Sequence, residues 1–371
     1  MMSADGKGEA RKRILFVNHS AQLSGPAHSL MMLLPYLRRR YEAAVLLDEP
    51  GFLSEWLARE GVPVFFLPEQ GARSLLALRS LIRRERIALV YGNNPGSASR
   101  RAILAGRLAG ARSVWHFRGV KWHWGWRKGA FLRLADRVVA VSGASARSLA
   151  RFYPLEKMRV VHNGVEALQF SGDREESRRR LEALAGIPPG ERILMMVSHV
   201  KPRKGQDEAV AVMERLARLG ACPHLVIAGS LEHDPAYVEQ IRARIRRGGL
   251  ERRVHLLGLR QDIPRLLAGA DLFLHTAAVD AHPRAVVEAM AAALPVVSFA
   301  VDGVAETVVD GETGYLAPEH DCEAMAGAVL SLLEDPLAAA AFGMRGRERA
   351  ERDFSAAGTA RKVEAIISEL I

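Results

Sequence analysis

At 371 residues the chain is long enough for two sizeable cores, and 49% apolar with 25% charged residues is the balance of a globular protein, not a disordered or fibrous one. No apolar run approaches the ~20 residues that span a bilayer, the polar start MMSADGKGEARKR lacks a signal-peptide core, and the distant Cys222 and Cys322 form no ligand cluster, so a cytoplasmic setting is expected. The net charge of +10 is uneven: residues 1–166 hold 27 Lys/Arg against 12 Asp/Glu, and the remainder 25 against 30. A basic first half suits anionic lipid, a phosphorylated acceptor or nucleic acid; it is equally the solvated surface of an arginine-rich protein.

Arg13–His19 reads as a buried strand. Ser24 is a candidate N-cap, with Pro26 in the first turn of a helix that Pro35 interrupts. A strand, a glycine turn and a helix aim backbone N–H groups at an anion, with Gly25 at the turn. The turn is neither GxGxxG nor a Walker A loop. Strands then alternate with helices through Tyr41–Leu47, Pro63–Leu67, Ile87–Tyr91 and Ser113–Phe117, a parallel doubly wound pattern. Ligands bind beyond the carboxyl ends of such strands. His116 stands at one of these ends, as a ligand contact or as a hydrogen-bonded rim residue. Next comes FRGVKWHWGWRKG, where Arg118, Lys121, Trp122, Trp124 and Trp126 combine indoles with cations. That mixture suits a membrane interface, an acceptor sugar or bases, or a loop whose aromatics pack inward. Arg137–Ser142 and Arg159–His162 complete the first domain, ending on Asn163-Gly164. The polar stretches Ser171–Ser177 and Pro188–Glu191 bracket a short helix, and an inter-domain linker is expected over 171–190.

The second domain opens with the buried strand Ile193–Ser198. Its loop, His199–Gly205, places His199, Arg203 and Lys204 before a helix, either a cradle for a diphosphate or a basic surface loop. Gly258-Leu259-Arg260 ends a later strand. After Leu272–His275 comes VDAHPRAVVEAMAAALPVV, in which Asp280 and Glu288 stand eight positions apart across a loop–helix junction. Two carboxylates also evoke a hydrolase, but this spacing does not establish the facing geometry that chemistry needs. Helices fill the chain from Cys322 to Leu370.

Eight blocks, in consistent order over nearly the whole chain, resemble retaining GT-B glycosyltransferases of family four, the group 1 glycosyl transferases. They are Ser24-Gly25-Pro26, His116, Ala135–Ser142 (ADRVVAVS), Asn163–Glu166 (NGVE), Ser198–Gly205 (SHVKPRKG), Gly258–Asp262 with Ala270-Asp271, Asp280–Val297, and Asp310–Gly314 (DGETG). The resemblance implies an α/β chain of two Rossmann-like doubly wound domains facing across a cleft. Residues 1–170 would bind the acceptor and 191–352 the nucleotide sugar, with 353–371 packing back on the first domain.

Further roles follow from the resemblance alone. Glu288 would accept from the ribose hydroxyls, Asp280 would reach the donor sugar, and Lys204, with His199, Arg203 and the amides at Gly25, would neutralise the departing diphosphate. Gly258, Leu259 and Arg260 would flank the base, and His116 would contact the transferred sugar. The expected partners are a nucleotide-sugar donor and a glycan or lipid-linked acceptor, with an anionic membrane surface admitted and nucleic acid not expected. Neither a cofactor nor a metal is expected. The other readings are a GT-B sugar-nucleotide epimerase and a non-catalytic lipid- or nucleic-acid-binding protein. This chain departs from the family pattern at His199 (usually Arg), Asp280 (usually Glu) and Ala293 (usually Gly).

Overall fold

Successive side chains of a strand point to opposite faces of its sheet, so one apolar strand can serve two cores. The computed structural model describes residues 11–66, 72–120 and 124–371. In β1 (Arg13–Val17), Ile14 and Phe16 enter one core while Leu15 and Val17 enter another. The same sheet holds β2 (Glu42–Leu47), β3 (Val64–Phe66), β4 (Ile87–Gly92), β5 (Arg112–Phe117), β6 (Arg137–Ala140) and β7 (Met158–Val160). Its order is β3-β2-β1-β4-β5-β6-β7, with parallel pairing throughout. Burial on both faces is why these strands read as continuous apolar runs. One face is covered by helices Gly25–Leu37 and Ala356–Ser368, through Leu30, Leu34, Val363 and Ile367. The other is covered by Ala72–Arg84 and Ser97–Ala109, through Leu78, Ile82, Ala102 and Ile103. The first helix runs through Pro35 and ends two residues later, so Pro35 does not interrupt it.

The second sheet is built from β8 (Ile193–Val197), β9 (His224–Ala228), β10 (Val254–Gly258), β11 (Leu272–His275), β12 (Val296–Phe299) and β13 (Gly314–Ala317). Its order, β10-β9-β8-β11-β12-β13, repeats that of the first six strands of the first sheet. Its core runs from Phe170 and Leu181 through Met195, Ile227 and Phe273 to Met325 and Phe342. In each sheet the strand order reverses once, between β1 and β4 and between β8 and β11, and an open α/β sheet binds its ligands beside such a reversal.

The chain divides into two compact units: 1–141, 145–161 and 359–371 in one, and 142–144 with 162–358 in the other. This corrects the boundaries read from sequence. The supposed linker 171–190 carries the helix Arg174–Ala185, capped by Asp173, and its Leu181 is fully buried in the second core. Arg178 of that helix donates to Asp271 (2.8 Å) and to the Gly269 carbonyl (3.0 Å). Polar composition there marks the outer face of an amphipathic helix, not a tether. Phe170 belongs to the second core as well, so the first unit stops at Val161 and not at 170.

Candidate functional site

In the second unit the reversal lies between the loops that follow β8 and β11. Gly205 ends the first loop at φ +72°, and a Cβ on it would lie 1.8 Å from the Thr276 carbonyl oxygen. Only glycine allows both that backbone conformation and that approach. Thr276 Oγ1 donates to the Gly205 carbonyl at 2.6 Å and closes the contact. Buried Gln206 opens the helix Gln206–Arg218, and its side-chain amide donates to Ser198 Oγ (2.9 Å) and the His199 carbonyl (3.2 Å). The loop's backbone is therefore tied from within.

Lys204 Nζ donates to Asp280 Oδ2 at 2.5 Å, with the two side chains only 18% and 15% exposed. The Asp280 loop is held from behind by the loop after β12. Gly303 N–H donates to the Asp280 carbonyl (3.1 Å), and a Cβ on Gly303 would sit 1.6 Å from the Ala281 carbonyl oxygen. Burial pushes the Asp280 carboxyl up, but the charges of Lys204, His275 and Arg203 outweigh it and hold the group below its ordinary value. His275, at the end of β11, is buried with Nε2 3.9 Å from Asp280 Oδ2. Burial lowers its pKa to about 4, against the pull of Asp280, so it is neutral at pH 7.

Around this pair stand further cations. Arg203 is exposed and makes no ion pair or hydrogen bond among the described residues. Lys201 is half-buried, its pKa lowered by burial and then by Arg203 and Lys204. His199 packs edge-on against His233 (4.4 Å between rings), and burial followed by the charges of His233, Lys201, Lys204 and Arg203 lowers it to about 4. His199 is thus a neutral donor or acceptor here and adds no charge. Gln206 was missed in the sequence; its signal was position, directly after the loop's glycine.

Glu288 lies on the helix Arg284–Ala291 and accepts from Arg284 Nη2 at 2.8 Å, an i,i+4 pair with 15% and 17% exposure. The Asn-Gly turn braces the same segment, since Asn163 Nδ2 donates to the His282 carbonyl at 2.9 Å. At the end of β10, Gly258 has φ +71° and Leu259 is 55% exposed. Arg260 is turned back onto Asp262 by two hydrogen bonds of 2.9 and 2.8 Å. Arg260, and then Arg180, hold Asp262 down at about 2. That guanidinium is committed, so the backbone and Leu259 are what this corner presents.

The first unit treats its reversal differently. Asn18 follows β1, and Asn93 and Asn94 follow β4, all essentially buried. Asn93 Nδ2 donates to Asn18 Oδ1 (3.1 Å) and to the Pro26 carbonyl (2.9 Å), which anchors the glycine turn. Gly25 itself is exposed, and a Cβ there would meet nothing within 4 Å, so its amide is approachable. The His116 side chain is wholly buried in this structure, and its Nε2 has no hydrogen-bond partner among the described residues. Its Nδ1 lies 2.7 Å from Tyr91 Oη and 3.3 Å from Arg118 Nη2. Arginine can only donate, so Nδ1 is the acceptor and the ring hydrogen resides on Nε2. Burial and then the Arg118 charge push His116 well below its ordinary pKa. Alternation explains this burial: in β5 the side chain of residue 116 turns into the core that holds Tyr91, and the strand-end position falls to Arg118. Arg118 is half-buried and also donates to Asn93 Oδ1 at 2.8 Å. Trp124 packs edge-on against Phe117, whereas Trp126 is 66% exposed. Lys121 and Trp122 lie outside the described residues.

Two Rossmann-like parallel sheets, the second with a cationic strand-end loop beside an anchored carboxylate at its reversal, place the fold in the GT-B class. The family models agree over most of the chain: residues 177–349 match glycosyl transferases group 1, and residues 13–167 match glycosyltransferase family 4. The chain belongs to the group 1 glycosyl transferase family. It is 30% identical over 313 residues to D-inositol 3-phosphate glycosyltransferase 2 of Catenulispora acidiphila, covering 80% of this chain and 64% of that one. It is 27% identical over 254 residues to the lipopolysaccharide core biosynthesis mannosyltransferase LpsB of Rhizobium meliloti, covering 67% and 70%. The chain spans less than two thirds of the length of several curated relatives it matches. In fold it matches HepE of Anabaena, crystallised with UDP-glucose, at a TM-score of 0.87 and 24% identity, over 96% of this chain and all of that one.

Proposed function

We propose that the protein transfers a sugar from a nucleotide-sugar donor to a glycan or lipid-linked acceptor of cell-surface polysaccharide or glycolipid synthesis, with retention of anomeric configuration. The observation that carries this reading is the Lys204–Asp280 pair at the β8/β11 reversal, flanked by Arg203 and Lys201. A leaving nucleoside diphosphate gains negative charge as its bond to the anomeric carbon breaks. Fixed cations that strengthen their hold as that charge grows lower the barrier. Lys204 and Arg203 take that role, His199 adds a neutral hydrogen bond, and the reading invokes no metal-dependent step. Asp280, relieved of Lys204 by the diphosphate, accepts from hydroxyls of the donor sugar. Glu288, aimed by Arg284, accepts from the vicinal ribose hydroxyls. The backbone at Gly258 and Leu259 borders the base.

The acceptor hydroxyl attacks the anomeric carbon on the face from which the diphosphate leaves. A carbon–oxygen bond to the acceptor forms, the carbon–oxygen bond to the phosphate breaks, and a leaving phosphate oxygen takes the hydroxyl proton. No enzyme carboxylate becomes a nucleophile in this reading. The name of one relative above, a lipopolysaccharide core biosynthesis mannosyltransferase, supports the acceptor class.

Thermal melting with UDP, GDP and ADP and their sugars tests the donor site: a nucleotide at ~100 times its dissociation constant adds roughly 2.7 kcal/mol. Absence of stabilisation by every nucleotide overturns the reading. Glu288→Gln is expected to keep the fold and lose most turnover, and unchanged turnover refutes the ribose contact.

A further inference from the structure

Helices Ala72–Arg84 and Ser97–Ala109 and the segment 126–134 together carry ten Lys/Arg and no Asp or Glu. The three pieces adjoin. The two helices pack side by side, and Arg79 Nε donates to the Leu108 carbonyl at 3.2 Å where the second helix ends. At that helix's other end the Arg100 guanidinium lies 5.4 Å from the centre of the Phe131 ring. Arg100 and Arg107 are seven residues apart and so share a helix face. Arg73, Arg83, Arg84, Arg107, Arg127, Lys128 and Arg133 are exposed. Among these cations stand large apolar side chains in water: Trp126 at 66% exposure, Leu76 at 63%, Leu108 at 49% and Phe131 at 36%.

The neighbouring acids engage few of these cations, and Asp48 faces Arg101 alone among them. Glu85 is bound by Arg13 at 2.9 Å as well as by Arg84, and Asp136 accepts from Ser113 N–H at 2.8 Å and from Arg112. Glu85 thus reaches one cation of the face, Arg84, and Asp136 reaches none.

We propose that this face docks the protein on an anionic lipid bilayer. Cations alone would suit any polyanion; the aliphatic and aromatic anchors choose among them. Trp and Phe at the level of the headgroups, with leucines reaching the acyl boundary, gain from an apolar layer that a nucleic-acid backbone lacks. Two signals, basic charge and apolar insertion, are what stable surface attachment needs. No single helix among the described residues is long and apolar enough to cross a membrane. The segment 126–134 follows the loop after β5, and the helix Ser97–Ala109 follows the loop after β4, so the face begins at the carboxyl edge of the first sheet, where its ligands belong. A lipid-linked acceptor would then meet this unit at the bilayer surface.

Docking is tested by co-sedimentation of the full chain with phosphatidylcholine vesicles, with and without phosphatidylglycerol. Wild type is expected to sediment only with the anionic vesicles and to be released by high salt. Each cation at such a surface contributes about 1 kcal/mol, about fivefold in affinity. The triple variant Arg107→Glu, Arg127→Glu, Lys128→Glu should therefore bind ~100-fold more weakly. Trp126→Ser with Phe131→Ser should lower vesicle binding about tenfold without changing the salt dependence. Both variants alter exposed side chains, and unchanged melting temperatures confirm that they are folded. Equal binding to neutral and anionic vesicles, wild-type binding by the folded variants, or no vesicle binding together with retention on duplex DNA each overturns the proposal. Nucleotide-dependent melting is read in parallel. A protein stabilised by nucleotide that ignores vesicles loses this inference and keeps its donor site.

Discussion

The two sheets share one strand order and arm their reversals with opposite chemistry. In the second unit the loops meet through an ion pair, Lys204–Asp280, with Arg203 and Lys201 beside it. In the first they meet through neutral amides, Asn18 and Asn93, which hold the Pro26 carbonyl and the Arg118 guanidinium. The same topology thus offers a charged cradle in one unit and a polar platform in the other. Architecture decides where a ligand goes, and the strand-end side chains decide which ligand it is. In the proposed reading a diphosphate takes the first kind of edge and a hydroxyl-rich acceptor the second.

Removing the cation should break this contrast most sharply. Lys204→Ala is expected to lower turnover by roughly 10²–10³-fold, the scale of losing one preorganised group at a developing charge, and to abolish nucleotide-dependent stabilisation. It also strands Asp280 without its partner, so an Asp280→Asn, Lys204→Ala double variant should recover stability but not activity; recovered activity would show that the lysine serves only the carboxylate. Next in size is Gly205→Ala. With φ +72° and the Thr276 carbonyl oxygen 1.8 Å from the new Cβ, the two loops must part, and denaturant unfolding should show a loss on the order of 3 kcal/mol. Gly25→Ala, with open space at its Cβ, should cost well under 1 kcal/mol and raise the donor KM instead.

On the polar side, Arg118→Ala should raise the acceptor KM about tenfold and leave the nucleotide shift intact, because Asn93 and His116, which hold it, lie in the first unit. A loss of nucleotide stabilisation in that variant would remove the division of labour between the units. The pH response should distinguish the edges too. His275 is held near pKa 4 in the folded protein against an ordinary 6.5, so the unfolded chain binds more protons between those values. Stability therefore falls as pH drops from about 6.5 to 4, and His275→Asn should flatten that slope in melting curves taken across the window. Asp280 works at lower pH: its depressed carboxyl adds stability above its unfolded pKa, and that is lost as pH falls through the folded value. The smallest effect is Ala293→Gly. Ala293 sits at φ +57°, where a side chain costs roughly 1 kcal/mol, so glycine should stabilise by about that amount or less.

Ala293 shows how a departure from the family pattern becomes legible as physics: the residue that replaces the usual glycine occupies the left-handed conformation that favours one. Much of the second unit's edge was legible in the same way. Lys204, Asp280 and Glu288 stand in local motifs, a strand-end loop and a loop–helix junction, and local motifs are written in consecutive residues. The first unit's edge was not. Asn18, Asn93, Tyr91, His116 and Arg118 come from three strands, and their meeting depends on register. His116 looked like a strand-end ligand because the strand's end was legible; which face its side chain took was not. A short helix was legible between Ser177 and Pro188, but it was assigned to a linker because half of its surface is polar, and only its packing shows Leu181 fully buried.

By itself, then, the sequence determined two parallel α/β sheets and the cationic strand-end loop and carboxylate-bearing segment that meet in the second. Apolar runs, caps and strand-end loops are short-range patterns, and a parallel sheet buried on both faces leaves little else for such runs to do. Tertiary structure alone decided that Lys204 meets Asp280 across 76 positions, that Arg118 and not His116 occupies the strand end, and that basic residues from three separate segments form one face. These depend on which strands neighbour which and on how far each loop reaches, and no local window of the chain carries that information.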